Sequence, residues 1–130
     1  ADLIIVGPGS LFTSILPNLL VPDIRDAIYK TKATSLYVSN VANEPGETAN
    51  FNLSDYIKTL EKHTNQNIID YILVHNSDIQ SQKKSLPPSL IKTYDAKIIF
   101  ADVVNNENIL IHDPKKLAKA IIDLYYNNTT

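Results

Sequence analysis

The stretch DLIIVGPGSLFTS, Asp2 to Ser14, decides how this chain is read. Leu3 to Val6 is a continuous apolar run closed by Gly7 and Pro8, the pattern of a strand buried on both faces. Leu11, Phe12, Ile15, Leu16, Leu19 and Leu20 then recur at near-helical spacing. The turn Gly7-Pro8-Gly9-Ser10 therefore lies at the carboxyl end of a strand and just before a helix, the edge where open α/β sheets bind ligands. Gly7 and Gly9 permit close approach of backbone to a ligand. The free N–H groups of the first helical turn, with Ser10, Thr13 and Ser14 nearby, can accept a phosphate or a carboxylate. An ordinary structural corner is the competing reading. The turn lacks the Lys of a P-loop and the third Gly of the dinucleotide fingerprint, and Pro8 removes a donor.

Working outward, strand and helix patterns alternate. Pro17 interrupts the first helical run and predicts two short turns instead of one clean helix. Pro22 and Asp23 open a second helix, with Ile24, Ala27 and Ile28 on one face. SLYVSN (Ser35–Asn40), IIDYILVH (Ile68–His75) and KIIFADVV (Lys97–Val104) read as further strands, and NILIH (Asn108–His112) as a short fifth. Asn52 or Ser54 caps a helix striped by Leu53, Ile57 and Leu60. Ser77 to Ser89, with Pro87 and Pro88, reads as loop plus one short helix at most. Asp113 as N-cap and Pro114 at the first helical position start a final helix with Leu117, Ile121 and Leu124 on one face. Residues 126–130 read as a frayed tail. This alternation predicts an α/β fold, a mostly parallel sheet with helices on its faces.

Composition narrows the function classes. The 130 residues suffice for one domain, are 44% hydrophobic and 20% charged, and carry a net charge of −2. Arg25 is the one arginine, and no basic excess points to nucleic acid. Cysteine is absent, so disulfides and thiolate chemistry are excluded, and a cytoplasmic location is expected. No apolar run reaches the roughly 18 residues of a membrane span. The chain also lacks methionine and opens almost directly on a strand, which predicts a fragment, a cleaved product or one piece of a larger protein.

Four segments in order, GPGSLFTSILPNLLVPDIRDAI, YVSNVANEPGET, ILVHN and HDPKKLAKAI, resemble the C-terminal part of the YvcK/CofD-like family, the gluconeogenesis factors also called UPF0052. The resemblance spans nearly the whole chain. It implies a Rossmann-like, three-layer fold, of which residues 1–130 form the C-terminal part of a CofD-like domain. It further implies binding of a UDP-sugar such as UDP-N-acetylglucosamine and a regulatory role in carbon metabolism and in cell-wall and cell-shape control. The alternative it implies is a 2-phospho-L-lactate transferase using a nucleotide-linked donor. No cofactor is required by the sequence; a divalent metal enters only under that alternative.

The same resemblance gathers the ligand-binding candidates Gly7, Gly9, Ser10, Thr13, Ser14, Asn40, Glu47, Thr48 and Tyr94. Backbone donors of the first turn would face phosphate, Glu47 and Thr48 the sugar, and Tyr94 the base. A solvated turn remains open for Glu47 and Thr48, and a packing role for Tyr94. No residue is assigned to catalysis and none to a metal, which tilts the reading away from turnover by this chain alone. A nucleotide-sugar is the expected partner, with the N-terminal half of the same protein and a homo-oligomer as further expectations, and neither nucleic acid nor membrane insertion. His75 and His112 each read more readily as structural than as ligand contacts. The chain departs from the family where Ile111 replaces an Arg before His112-Asp113, where Tyr56 replaces a His, and at Glu44 and Ala49. It also lacks the family's Gly-rich turn.

Overall fold

A computed structural model describes residues 1–64, 67–94 and 97–128. Its strands are β1 (Leu3–Val6), β2 (Thr34–Val38), β3 (Tyr71–His75) and β4 (Ile98–Ala101). They form one parallel sheet in the order β1-β2-β3-β4, with Ile5 beside Leu36, Leu36 beside Tyr71, and Leu73 beside Ile99. Each strand neighbours its predecessor, so the crossovers all step the same way. Right-handed crossovers then place the connecting helices on one face.

The side chains sort accordingly. Tyr37, Ile72, Val74 and Ile98 point into a core with Leu16, Leu19, Ile57, Leu60, Leu90 and Tyr94. The alternate positions Leu36, Val38 and Leu73 point the other way, against Val103 and Leu124, with Leu117 and Ile121 beside them. The first core holds α1 (Leu16–Leu19), α3 (Leu53–Thr64) and α5 (Pro88–Tyr94). The second holds α6 (Pro114–Asn128). Helix, sheet and helix make three layers, as the sequence predicts.

The helix starts follow the expected chemistry. Asn52 Oδ1 accepts from the Asp55 N–H at 3.0 Å, and Asp55 Oδ2 accepts from the Asn52 N–H at 2.9 Å, a reciprocal capping box on α3. Asp113 Oδ1 accepts from the Lys115 and Lys116 N–H groups at 2.9 and 3.0 Å. At the first turn, Ser10 C=O accepts from both Ser14 and Ile15 at 3.0 Å. A π-helical turn, Leu11–Ile15, thus precedes α1, and Pro17 falls in the first turn of α1, where its missing N–H costs nothing. Helix α2 (Pro22–Lys30) follows.

Three expectations change. NILIH is not a strand: only Val104 and His112 form an antiparallel bridge, and Asn105 Oδ1 accepts from the Glu107 and Asn108 N–H groups, so asparagine side chains hold a compact turn. Ser77–Ser89 is more helical than expected, with α4 (Ile79–Lys84) and the start of α5, because Pro88 opens a helix. Fraying from Tyr126 is replaced by helix through Asn128, whose amide bonds Leu124 C=O and whose own C=O accepts from Tyr71. Thr129 and Thr130 lie outside the described residues.

Candidate functional site

The carboxyl ends of β1 and β2 are tied together. The Gly9 N–H donates to Asn40 Oδ1 at 3.1 Å, and Asn40 Nδ2 donates to Gly9 C=O at 2.8 Å. Gly7 has φ +84°, and a Cβ there would lie 3.0 Å from Val38 C=O. Only glycine accommodates that backbone and that contact together. Ser10 Oγ donates to Glu47 Oε2 at 2.6 Å, fastening the NEPGET loop to the first turn. Gly7, Gly9, Ser10, Asn40 and Glu47 are therefore brought to one edge.

Thr13 and Ser14 are exposed on the π-helical turn. Ser14 faces a groove along β1 with Gly7 and Pro8. Thr48 is fully buried. Its Oγ1 accepts from the Glu44 N–H at 2.8 Å and lies 3.1 Å from the Tyr56 hydroxyl, so it staples its own loop. The Tyr56 hydroxyl also reaches Asn43 Oδ1 at 2.7 Å, and burial raises its pKa.

Tyr94 is not at this edge. Its side chain is buried at the end of α5, with its hydroxyl 2.8 Å from Glu61 Oε1 and 3.1 Å from Asn67 Oδ1. These partners lie at the end of α3 and ahead of β3, towards the amino ends of the strands. Burial raises the Tyr94 pKa strongly, and Glu61 adds to it.

Two clefts open at the carboxyl edge. One of about 270 Å³ lies over Pro8 and Gly9, between Asn40, Glu44 and the turn Leu110–His112. The other, of about 420 Å³, lies between the start of α3 and α4 above the ends of β2 and β3. Asn40 and Val41 line both, forming a ridge between them.

Beside the ridge stands a cluster that sequence spacing does not reveal. His75 Nδ1 accepts from the Val103 N–H at 3.4 Å and lies 4.0 Å from Asp102 Oδ1. Lys116 bonds Asp102 at 2.8 Å and Asn106 at 2.7 Å. The Lys116 ammonium holds the exposed Asp102 carboxyl below its ordinary range. His112 is half-buried, and its Nε2 is buried without a partner among the described residues. Desolvation lowers its pKa, against a backbone bond with Ser39, and the nearby His75 lowers it further. Residues 75, 102, 112 and 116 meet only because β3, β4 and α6 converge. Ser77, Ser81 and Gln82 of the larger cleft were likewise hidden, since a short helix within Ser77–Ser89 was expected but its place beside the ends of β2 and β3 was not. Among the described residues, no group of three or more His, Asp or Glu is placed to hold a metal ion.

A parallel, open α/β sheet with helices on both faces and clefts over the carboxyl ends of its strands defines an α/β domain of the Rossmann-like class. The family described as 2-phospho-L-lactate transferase CofD matches residues 1–124, and the chain belongs to that family. A gluconeogenesis factor of Bacillus subtilis is 40% identical over 95% of this chain and 43% of its own length. A protein of Clostridium acetobutylicum is 52% identical over 84 residues, 65% of this chain and 19% of that protein. A crystal structure of a UPF0052-family protein of Bacillus halodurans superposes with a TM-score of 0.78 at 34% identity, covering 94% of this chain and 43% of that one. The chain thus spans less than half the length of these relatives.

Proposed function

We propose that this chain forms part of a nucleotide-sugar-binding regulator of the gluconeogenesis-factor type, acting in the cytoplasm on carbon metabolism and cell-wall and cell-shape control. The observation that carries the reading is the pair of adjoining clefts across the Asn40 ridge. A two-part ligand with an anionic linkage suits such a pair. The smaller cleft lies over Pro8 and Gly9, and the Phe12 and Thr13 N–H groups of the π-helical turn that follows, outside its lining, carry no intramolecular bond among the described residues. The relatives named gluconeogenesis factors support the regulatory class. No helix among the described residues is long and apolar enough to cross a membrane.

The second reading, a phospholactyl-type transferase, is favoured by the description of the matching family. Such a reaction calls for a divalent metal or several cations at the leaving diphosphate. The described residues offer no ligand set for that metal, and Lys116 is already engaged by Asp102. No step through a metal is derived for this chain.

Calorimetric titration of UDP-N-acetylglucosamine into the full-length protein, followed by chromatography of the recovered nucleotide, tests both readings. Saturable binding with intact ligand is expected. A cleaved ligand sinks the regulator reading in favour of transfer, and absence of heat sinks nucleotide-sugar binding altogether.

A further inference from the structure

Ser10 occupies an N-cap position, yet its side chain does not cap. Its backbone is non-helical, with φ −59° and ψ 125°, and its C=O already accepts the first bonds of the π-helical turn. A serine hydroxyl in that place ordinarily accepts from the N–H of the second or third residue of the turn, here Phe12 or Thr13. Neither N–H has a partner among the described residues, and the hydroxyl makes no capping bond. It is turned instead to Glu47, 37 residues away, and donates to that carboxylate at 2.6 Å.

This bond fastens a segment that α3 holds from the other side. Within residues 43–51, the Thr48 N–H donates to Glu44 C=O at 2.9 Å, the Phe51 N–H to Thr48 C=O at 2.9 Å, and Asn43 Nδ2 to Phe51 C=O at 2.9 Å. The Tyr56 hydroxyl on α3 holds the segment at Asn43 and Thr48. Toward the first turn, Ser10–Glu47 is the one hydrogen bond among the described residues, with the edge-on contact of Phe12 and Phe51 beside it. Residues 43–46 are exposed, and a Cβ at Gly46 would meet nothing within 4 Å, so no other element packs on this arm. Asn43 lines the larger cleft and Glu44 the smaller, which makes the segment a wall of both.

We propose that Ser10 is a two-position latch for residues 43–51. In the position seen, its hydroxyl donates to Glu47 and the segment is closed. In the other, it accepts from the Phe12 or Thr13 N–H, caps its own turn and releases Glu47 to water. Each position satisfies a group that the other leaves unpaired, so release exchanges one hydrogen bond for another, and the charge on Glu47 favours the closed position. Release opens the exposed arm and widens both clefts. Resting on the nucleotide-sugar reading, the closed segment governs entry and exit of that ligand.

Amide hydrogen exchange of the full-length protein, unaltered and as Glu47→Ala and Ser10→Ala, tests the latch without any ligand. Both variants are expected to raise exchange at Thr48 and Phe51 by at least about tenfold, the loss of one charge-assisted bond, with α6 unchanged. Glu47→Ala alone leaves Ser10 free to cap. Exchange at Phe12 or Thr13 is therefore expected to slow by about fivefold in Glu47→Ala and not in Ser10→Ala. Unchanged exchange at Thr48 and Phe51 overturns the latch. Faster exchange there with no slowing at the first turn of Glu47→Ala overturns the second position. Glu47→Ala carries both tests if Ser10→Ala does not fold. With UDP-N-acetylglucosamine, Glu47→Ala is expected to speed association and dissociation alike, by about three- to tenfold. Unchanged rates, or faster dissociation alone, overturn the gating of the ligand. Failure of the unaltered protein to bind removes the nucleotide-sugar reading, while the exchange result still decides the latch.

Discussion

Asn40 and Gly9 exchange two hydrogen bonds, at 3.1 and 2.8 Å, across 31 residues of sequence. This one amide therefore sets the distance between the first turn and the end of β2, and it forms the ridge between the two clefts. Asn40→Ala is expected to cost about 1–3 kcal/mol, because both Gly9 groups lose their partner in a half-buried site. Asn40→Asp keeps the acceptor and should fall between. Urea titration checks this, with a lower midpoint at unchanged slope as the expected result.

Gly7 and Gly46 both have positive φ, +84° and +79°, but differ in surroundings. A Cβ at Gly46 meets nothing within 4 Å, whereas at Gly7 it approaches Val38 C=O at 3.0 Å. Gly46→Ala should cost about 1–2 kcal/mol, the left-handed penalty alone. Gly7→Ala should cost more, since backbone must also give way. Equal losses in thermal unfolding would refute the steric part of the argument.

Two buried tyrosines should respond oppositely to loss of their hydroxyls. Tyr37 is fully buried, and its hydroxyl has no partner among the described residues. Tyr37→Phe is expected to stabilise by about 1 kcal/mol. Tyr94→Phe removes bonds to Glu61 and Asn67 and is expected to destabilise by about 1–2 kcal/mol. Because Tyr94 lies away from the carboxyl edge, UDP-N-acetylglucosamine affinity should stay within about twofold; a larger loss would return Tyr94 to the ligand site.

His112 makes stability depend on pH in a definite direction. Its folded pKa lies below the ordinary 6.5, so near that pH the unfolded chain binds the proton more readily. Stability is therefore full above about pH 6.5 and is lost as pH falls through the lowered folded value. His112→Asn should flatten this segment of the profile. Tyr56 and Tyr94 act at the other end: their raised pKa values mean stability is present below pH 10 and falls as pH rises beyond it. Denaturant midpoints measured from pH 5 to 11 in both proteins check both signs.

The sheet was legible because β1, β2 and β3 are apolar runs bounded by turn residues, and α6 because Asp113-Pro114 announces its start. The first turn was legible as a corner at the carboxyl edge of the sheet because its place between strand and helix is a local property. Tyr94 was harder. Its segment precedes a strand, but whether a side chain at such a place points to the carboxyl edge or into the core depends on the rotation of α5, which no short pattern records. Thr48 reads as a polar loop residue, yet burial and two bonds make it structural. The His75, Asp102, His112 and Lys116 cluster depends on three separate elements converging. Asn108–His112 was misread as strand because Ile109–Ile111 is apolar, although Asn105 and Asn108 favour a turn.

The strand order has a kinetic consequence. Leu3 pairs with Thr34, Leu36 with Tyr71, and Ile72 with Ile98, so each closure spans one short crossover of similar length. None requires an earlier strand to be bypassed. Loop-closure entropy is thereby spread evenly along the chain instead of being concentrated in one long-range pairing. The sheet can grow strand by strand in the order of synthesis, each new strand finding its template edge already formed. The late step is the docking of α6, which alone brings its helix back across the opposite face of β2 and β3.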